Sequence, residues 1–552
     1  MKKILTLLLI ACTLGAFSQG MKVEKAEITA GKPYRVVDAF YKIYIQKGGK
    51  ILTFKRTMKA LKMQLFDVKT LTELNTKDIV DLPKGYHFEC IKEFKGTYFL
   101  FYSLWDKPNK KEQLFCREID FDNFGFKGTD KLLVKVDGKV TDYKGEGGIS
   151  FNIFTGFGAT DIDKFNVQTS FDSTKVLIQY RRKPTEKKDK LSKDIIGLFV
   201  FNNKMESIYG DEYTMPYTES KMNNMDYSID SEGNVYTLAT VFNDDDSRIK
   251  KYKDGKPNFR LELLCVQQNV KDFRITKIEV GTNIVTDLWL FETTNKQMIC
   301  AGFYSEAKNT KYSGDLDDAS GIFMFKTDKN GEAKNVQTYK IPVEVINQYL
   351  TDKEQAKNEK ADKNDKTEFR DLQLRQLIIQ KDGSIIIVGE QYYLITYQSY
   401  SGNTSHTEYE SHYNDMLIAK IDANGKLAWM KKLPKRQKGG LAQGGLSYKY
   451  INSNNNHYLV FLDNVKNLTL PTNKKPATHQ DGQGGFLTAY KVSDASGEVC
   501  KVSLLDTKDF NDMKLEQFKV DRFLKTVNDE FVVEFYKNQK EDILIKANFS
   551  KK

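Results

Sequence analysis

Histidine is scarce in this chain of 552 residues: there are five, at 87, 406, 412, 457 and 479, and none forms an HExxH or a short-spaced pair suited to zinc. No metal site is expected from that spacing. A GxSxG elbow and a Walker loop are also missing, which argues against a hydrolase or nucleotide-binding domain carried on the same chain. Cysteine is nearly as sparse. Outside the first 20 residues lie Cys90, Cys116, Cys265, Cys300 and Cys500, an odd number set in apolar runs such as LFCREID and MICAGF, so free thiols rather than a disulfide framework are expected.

Arginine supplies only twelve of the 85 basic residues, and charges of both signs alternate along the whole chain. Nucleic-acid readers concentrate arginine forks in patches, so the net charge of +11 reads as a lysine-rich solvated surface without a nucleic-acid partner. Beyond the N-terminus no stretch reaches the ~18 consecutive apolar residues of a membrane span. No cofactor is called for by any motif.

Aromatic residues are abundant, with 29 Tyr and 35 Phe against 10 Pro, a balance that favours strands. The opening MKKILTLLLIACTLGAFSQ has two lysines, a short apolar run and small residues, the pattern of a secretory leader. Cleavage after Ser18 gives a leader of 1–18 and one domain of 19–552; Leu9-Ile10-Ala11-Cys12 offers a competing lipoprotein-type site. The expected product is exported, periplasmic or outer-membrane-associated or extracellular, and monomeric.

The repeating unit is clearest at 381–434, where KDGSIIIVGE, a polar insert and DMLIAKIDANGKLAWMKKLP read as turn, buried strand, loop, strand, turn and outer strand. Weaker copies of its third strand are LKMQLFD (61–67), QLFCREID (113–120), IIGLFVFN (195–202), FRLELLCV (259–266), GIFMFKTD (321–328), GFLTAYKV (485–492) and EDILIKAN (541–548). Upstream partners such as TYFLFYSLW (97–105) and NVYTLATVF (234–242) make hairpins with them. The pattern predicts an all-β fold, a single β-propeller of eight four-stranded antiparallel blades, with seven as the alternative. The last unit lacks one strand and KVEKAEITA (22–30) is spare, so the N- and C-terminal strands are expected to close the ring. A charged insert near 343–369, with a short helical start and a distal half expected to be mobile, stands outside the repeat.

Asp382-Gly383, Gly389, Lys420, Asp422, Gly425 and Trp429 resemble the repeat of secreted propellers of the Bacteroidota, and Lys326, Asp328 and Gly331 give a partial second copy. AKIDANGKLAW (419–429) is similar to the tryptophan-docking repeat of quinoprotein-type propellers, which include dehydrogenases and an outer-membrane assembly factor, but is one residue shorter. The resemblance implies that Trp429 packs between sheets. It implies no particular activity.

Other motifs read as turns. Ser228–Tyr236 resembles the Asp-box of sialidase-type propellers with one residue too many, Gly314–Gly321 fails calcium-loop spacing at Lys326, and Asn243–Asp246 is a further acidic turn. Two segments are left for recognition: the insert 397–415 with Tyr400, His406, His412 and Tyr413, and the Gly-rich exit 433–448 with Lys435, Arg436 and Lys438. The expected function is a non-catalytic propeller that binds an envelope protein or glycan through its loop faces; the alternative is a carbohydrate-binding or carbohydrate-active propeller, a lectin, lyase or glycosidase-like protein.

Overall fold

The strands predicted from the repeat are present and group into eight sheets among the described residues. The computed structural model describes residues 21–549 except 40, 59, 142–162, 185–190, 245–256, 307–317, 328–331, 365, 402–403, 441–444, 472–473, 509, 527–529 and 538–539. The two leader cleavage sites, including Cys12, part of the Gly314–Gly321 loop, and Asp328 and Gly331 of the partial repeat therefore lie outside the described residues.

Sheets one to five span residues 41–79, 87–137, 166–218, 222–278 and 283–340, each with four antiparallel strands in chain order. Sheet six begins at Leu372, sheet seven at Lys449 and sheet eight at Leu515. Within a sheet the second strand is covered on both faces: Val235–Phe242 is buried at every position, and so is Met298–Glu306 save its last residue. Such a strand is a continuous apolar run and contributes ~1.5–3 kcal/mol for each large aliphatic side chain it buries. The fourth strand meets water, as in Glu73–Ile79, where five consecutive residues are exposed.

Eight apolar clusters fill the spaces between consecutive sheets. Phe54 and Tyr102 belong to the one between sheets one and two, Leu263 and Phe323 to that between four and five, and Val460, Val533 and Phe535 to that between seven and eight. The eighth cluster joins the last sheet to the first, with Val532 and Leu544 packed together with Tyr44, Ile51 and Phe66.

The N-terminal segment serves two sheets rather than the one expected. Val23–Lys25 lies parallel to Lys501–Ser503 in sheet seven, whereas Glu27–Ala30 runs antiparallel to Ile545–Asn548 in sheet eight. Between sheets eight and one sits a buried ionic cluster: Lys42 is 2.5 Å from Glu534 and 3.1 Å from Asp542, and Lys55 is 2.5 and 3.2 Å from the same carboxylates. Burial opposes ionisation of Glu534, but Lys55, Lys42 and Arg522 outweigh it and hold its carboxyl below the usual range.

Trp429 fills the place the repeat implies. Its Nε1 donates to the Asp494 carbonyl of sheet seven at 3.0 Å, and Gly497 (φ +67°) is required beside it, since a Cβ there would fall 2.7 Å from the indole Cγ. The charged insert is more ordered than its composition suggests. After the helix Val343–Asn347, its distal half forms a second helix, Asp352–Asp362, started by a capping box between Thr351 and Glu354. No helix among the described residues is long and apolar enough to cross a membrane, and the five cysteines are free thiols.

Candidate functional site

Two places depart from the repeating pattern. One is a long hairpin in sheet six; the other is a cluster at the first strands of sheets two and three.

The hairpin is made of Ile385–Ser401 and Thr404–Ile421, whose antiparallel register runs from Ile385 opposite Ile421 to Ser401 opposite Thr404. A bulge between Glu390 and Tyr392 marks where it leaves the body of the sheet, and ten register pairs follow. At ~3.3 Å per residue that is a ribbon of about 30 Å. Its base is held by Glu390, which is 2.8 Å from Lys435 and 3.2 Å from Arg375 and accepts from the Ser447 hydroxyl at 2.7 Å. The exit segment Gln437–Gly440 pairs with Glu410–Tyr413, and His479–Gln480 adds in parallel beyond it.

The two segments singled out in the sequence thus meet in one sheet, but their residues have different roles. Lys435 is buried, with burial pushing its amine down against the pull of Glu390, so it anchors the ribbon and is not a surface contact. Tyr413 lies in the same base, under Arg375 and Lys435. His412 stacks on Tyr393 at 4.6 Å and shares Glu410 with Lys438. His406 and Arg436 are exposed. Tyr400 pairs with Ser405 near the ribbon tip. Leu394, Tyr397 and Tyr409 are 42%, 47% and 44% exposed on the ribbon, and composition alone does not single them out.

The second cluster answers to none of the motifs read from the sequence. His87 and Glu89 lie on His87–Phe94, where a bulge between Phe88 and Cys90 redirects Glu89 towards sheet three. Its Oε2 accepts from the backbone of Lys164 at 2.8 Å and Phe165 at 3.2 Å. Asp163 precedes those two residues, and His87, Glu89 and Asp163 each bring one ligand atom to within 4.8 Å of the others. Burial raises the Glu89 carboxyl to about 8; the Ser103 hydroxyl and the two N–H groups pull it down, and Asp163 pushes it up. His-x-Glu on a strand is a legible signal, but Asp163 is one sheet away and no spacing rule connects it.

Related clasps show what Glu89 has in addition. Asp226, beside a bulge in sheet four, accepts from Leu290 of sheet five at 2.7 Å, and Asp287, in a bulge of sheet five, accepts from Leu374 of sheet six at 3.2 Å. Ser228–Tyr236 contains a turn held by Asp230, which accepts from the backbone of Glu232 and Asn234 and from the Tyr236 hydroxyl. Asp244 accepts from Asn258.

No family model and no curated protein sequence matches the chain. Among solved structures it is similar to the β-propeller domain of the Trilobed protease from Pyrococcus furiosus, at 10% identity and a TM-score of 0.33, over 86% of this chain and 98% of that one. It is also similar to a prolyl endopeptidase (9%, TM-score 0.36, 95% of this chain and 55% of that one) and to an acylaminoacyl peptidase from Pyrococcus horikoshii (8%, TM-score 0.34, 90% and 57%). The chain is all-β, and its four-stranded antiparallel sheets are consistent with a β-propeller. The expectation of a non-catalytic scaffold is corrected by these similarities, because enzymes stand among the structures that share the fold, and that reading is set aside.

Proposed function

We propose that this propeller handles polypeptide, taking up an extended segment along the long hairpin of sheet six. The observation that carries the reading is the ribbon itself. Beyond Gln391 the strand Ile385–Ser401 has only Thr404–Ile421 as a strand partner among the described residues, so its outer edge carries exposed Leu394 and Tyr397, while exposed Tyr409 stands on the partner strand opposite Thr396, on the face that Leu394 shares. A strand edge recognises any extended peptide through main-chain hydrogen bonds, and neighbouring apolar side chains select what it carries. The other edge is covered at its base by Gln437–Gly440.

The platform for the ribbon is, in this reading, a ring of eight blades closed by Glu27–Ala30 beside Glu541–Asn548; the eight inter-sheet clusters, including the one joining last to first, support it. Export through the leader at 1–18 is part of the same proposal and rests on its residue pattern. Fluorescence anisotropy with fluorescein-labelled decapeptides tests the function. Binding is expected, and the double change Leu394→Lys and Tyr409→Lys is expected to weaken it at least ~10-fold. Absence of binding by the wild type, or equal binding by wild type and double variant, would rule the ribbon out.

A further inference from the structure

We infer that His87, Glu89 and Asp163 form a binding site for one divalent first-row metal ion, of the zinc or manganese class, between sheets two and three. The donor set is one imidazole nitrogen and two carboxylates. Imidazole favours zinc and its neighbours, while carboxylate favours harder ions such as manganese, so the mixed set points to these two more than to calcium.

Two separate observations support a ligand here. The first is convergence: the three donor atoms lie within 4.8 Å of one another although His87 and Glu89 lie on a strand of sheet two and Asp163 lies in the segment leading into Asn166–Thr169. The second is the state of Glu89. Its residue is 2% exposed, and while Oε2 accepts from two backbone N–H groups, Oε1 is buried without a hydrogen-bond partner of good geometry. A buried carboxyl oxygen without a hydrogen-bond partner is costly, on the order of 1–3 kcal/mol, and a cation bound there in place of the proton removes that cost.

Comparison with the other carboxylates at strand bulges separates this site from a packing device. Asp226 and Asp287 make the same reach to the next sheet's backbone, yet neither belongs to a group of three metal-ligating side chains among the described residues. The clasp needs only an acceptor. His87 and Asp163 add what a metal needs.

The test is calorimetric titration of the EDTA-treated full chain with zinc and with manganese, alongside thermal melting. One ion per chain and a higher melting temperature are expected for at least one of the two metals. Glu89→Gln and His87→Ala should each weaken binding at least ~100-fold, whereas Asp226→Asn should leave it unchanged. The inference is overturned if neither metal binds at ~1 mM, if Glu89→Gln and His87→Ala both bind like wild type, or if Asp226→Asn loses as much as they do. Peptide binding to the ribbon is measured separately and does not depend on this result.

Discussion

Asp226 sits beside a strand bulge against the neighbouring sheet, and its titration follows from that desolvation. Burial raises Asp226 to about 7, against the pull of the Leu290 and Tyr227 N–H groups. Between its ordinary value of 3.8 and about 7 the folded state holds a proton that the unfolded state has released. Stability from this group is therefore complete at low pH and is lost as pH rises through about 7. Asp226→Asn should flatten that part of the profile, as measured by urea unfolding across roughly pH 4 to 9. A chain whose stability did not fall over that range, or fell equally in the variant, would show that the carboxyl is not protonated in the fold.

At the scale of strands and turns, the architecture is legible in the sequence and the sites are much less so. LKMQLFD and EDILIKAN can be read as Leu61–Asp67 and Glu541–Asn548 because buried strands must be apolar over most of their length. Trp429 is legible because a turn glycine precedes it. Its removal tests how much the inter-sheet contact contributes: Trp429→Ala should cost ~3–5 kcal/mol in denaturant unfolding. Lys435 is misleading, because a lysine in a Gly-rich segment looks solvated and only the fold brings Glu390 to it from another strand. The meeting of Glu89 with Asp163 escapes sequence reasoning for a similar reason, since the bulge that turns Glu89 is a property of strand pairing, not of local sequence. The distal half of the charged insert reads as a mobile mixed-charge run from its composition, and Thr351 and Glu354 cap a helix there; Thr351→Ala should reduce local helix stability by ~1 kcal/mol, visible as faster amide exchange in Asp352–Asp362.

For the whole molecule, the decisive contact is between sheets eight and one. Lys55, Lys42, Glu534 and Asp542 are all buried, so removing one cation leaves charge without its counterpart in a dry site. Lys55→Met should destabilise the protein by ~3–5 kcal/mol, and the loss should be read in the same unfolding transition as that of Trp429→Ala if the sheets melt together. Two transitions would mean that the sheets form independent units. The N-terminal segment has a consequence in time as well as in space. Val23–Lys25 and Glu27–Ala30 are synthesised long before their partners, Lys501–Ser503 and Ile545–Asn548. The two strands cannot be seated until those distant partners have been made, so these pairings of very large sequence separation should form slowly compared with the local hairpins.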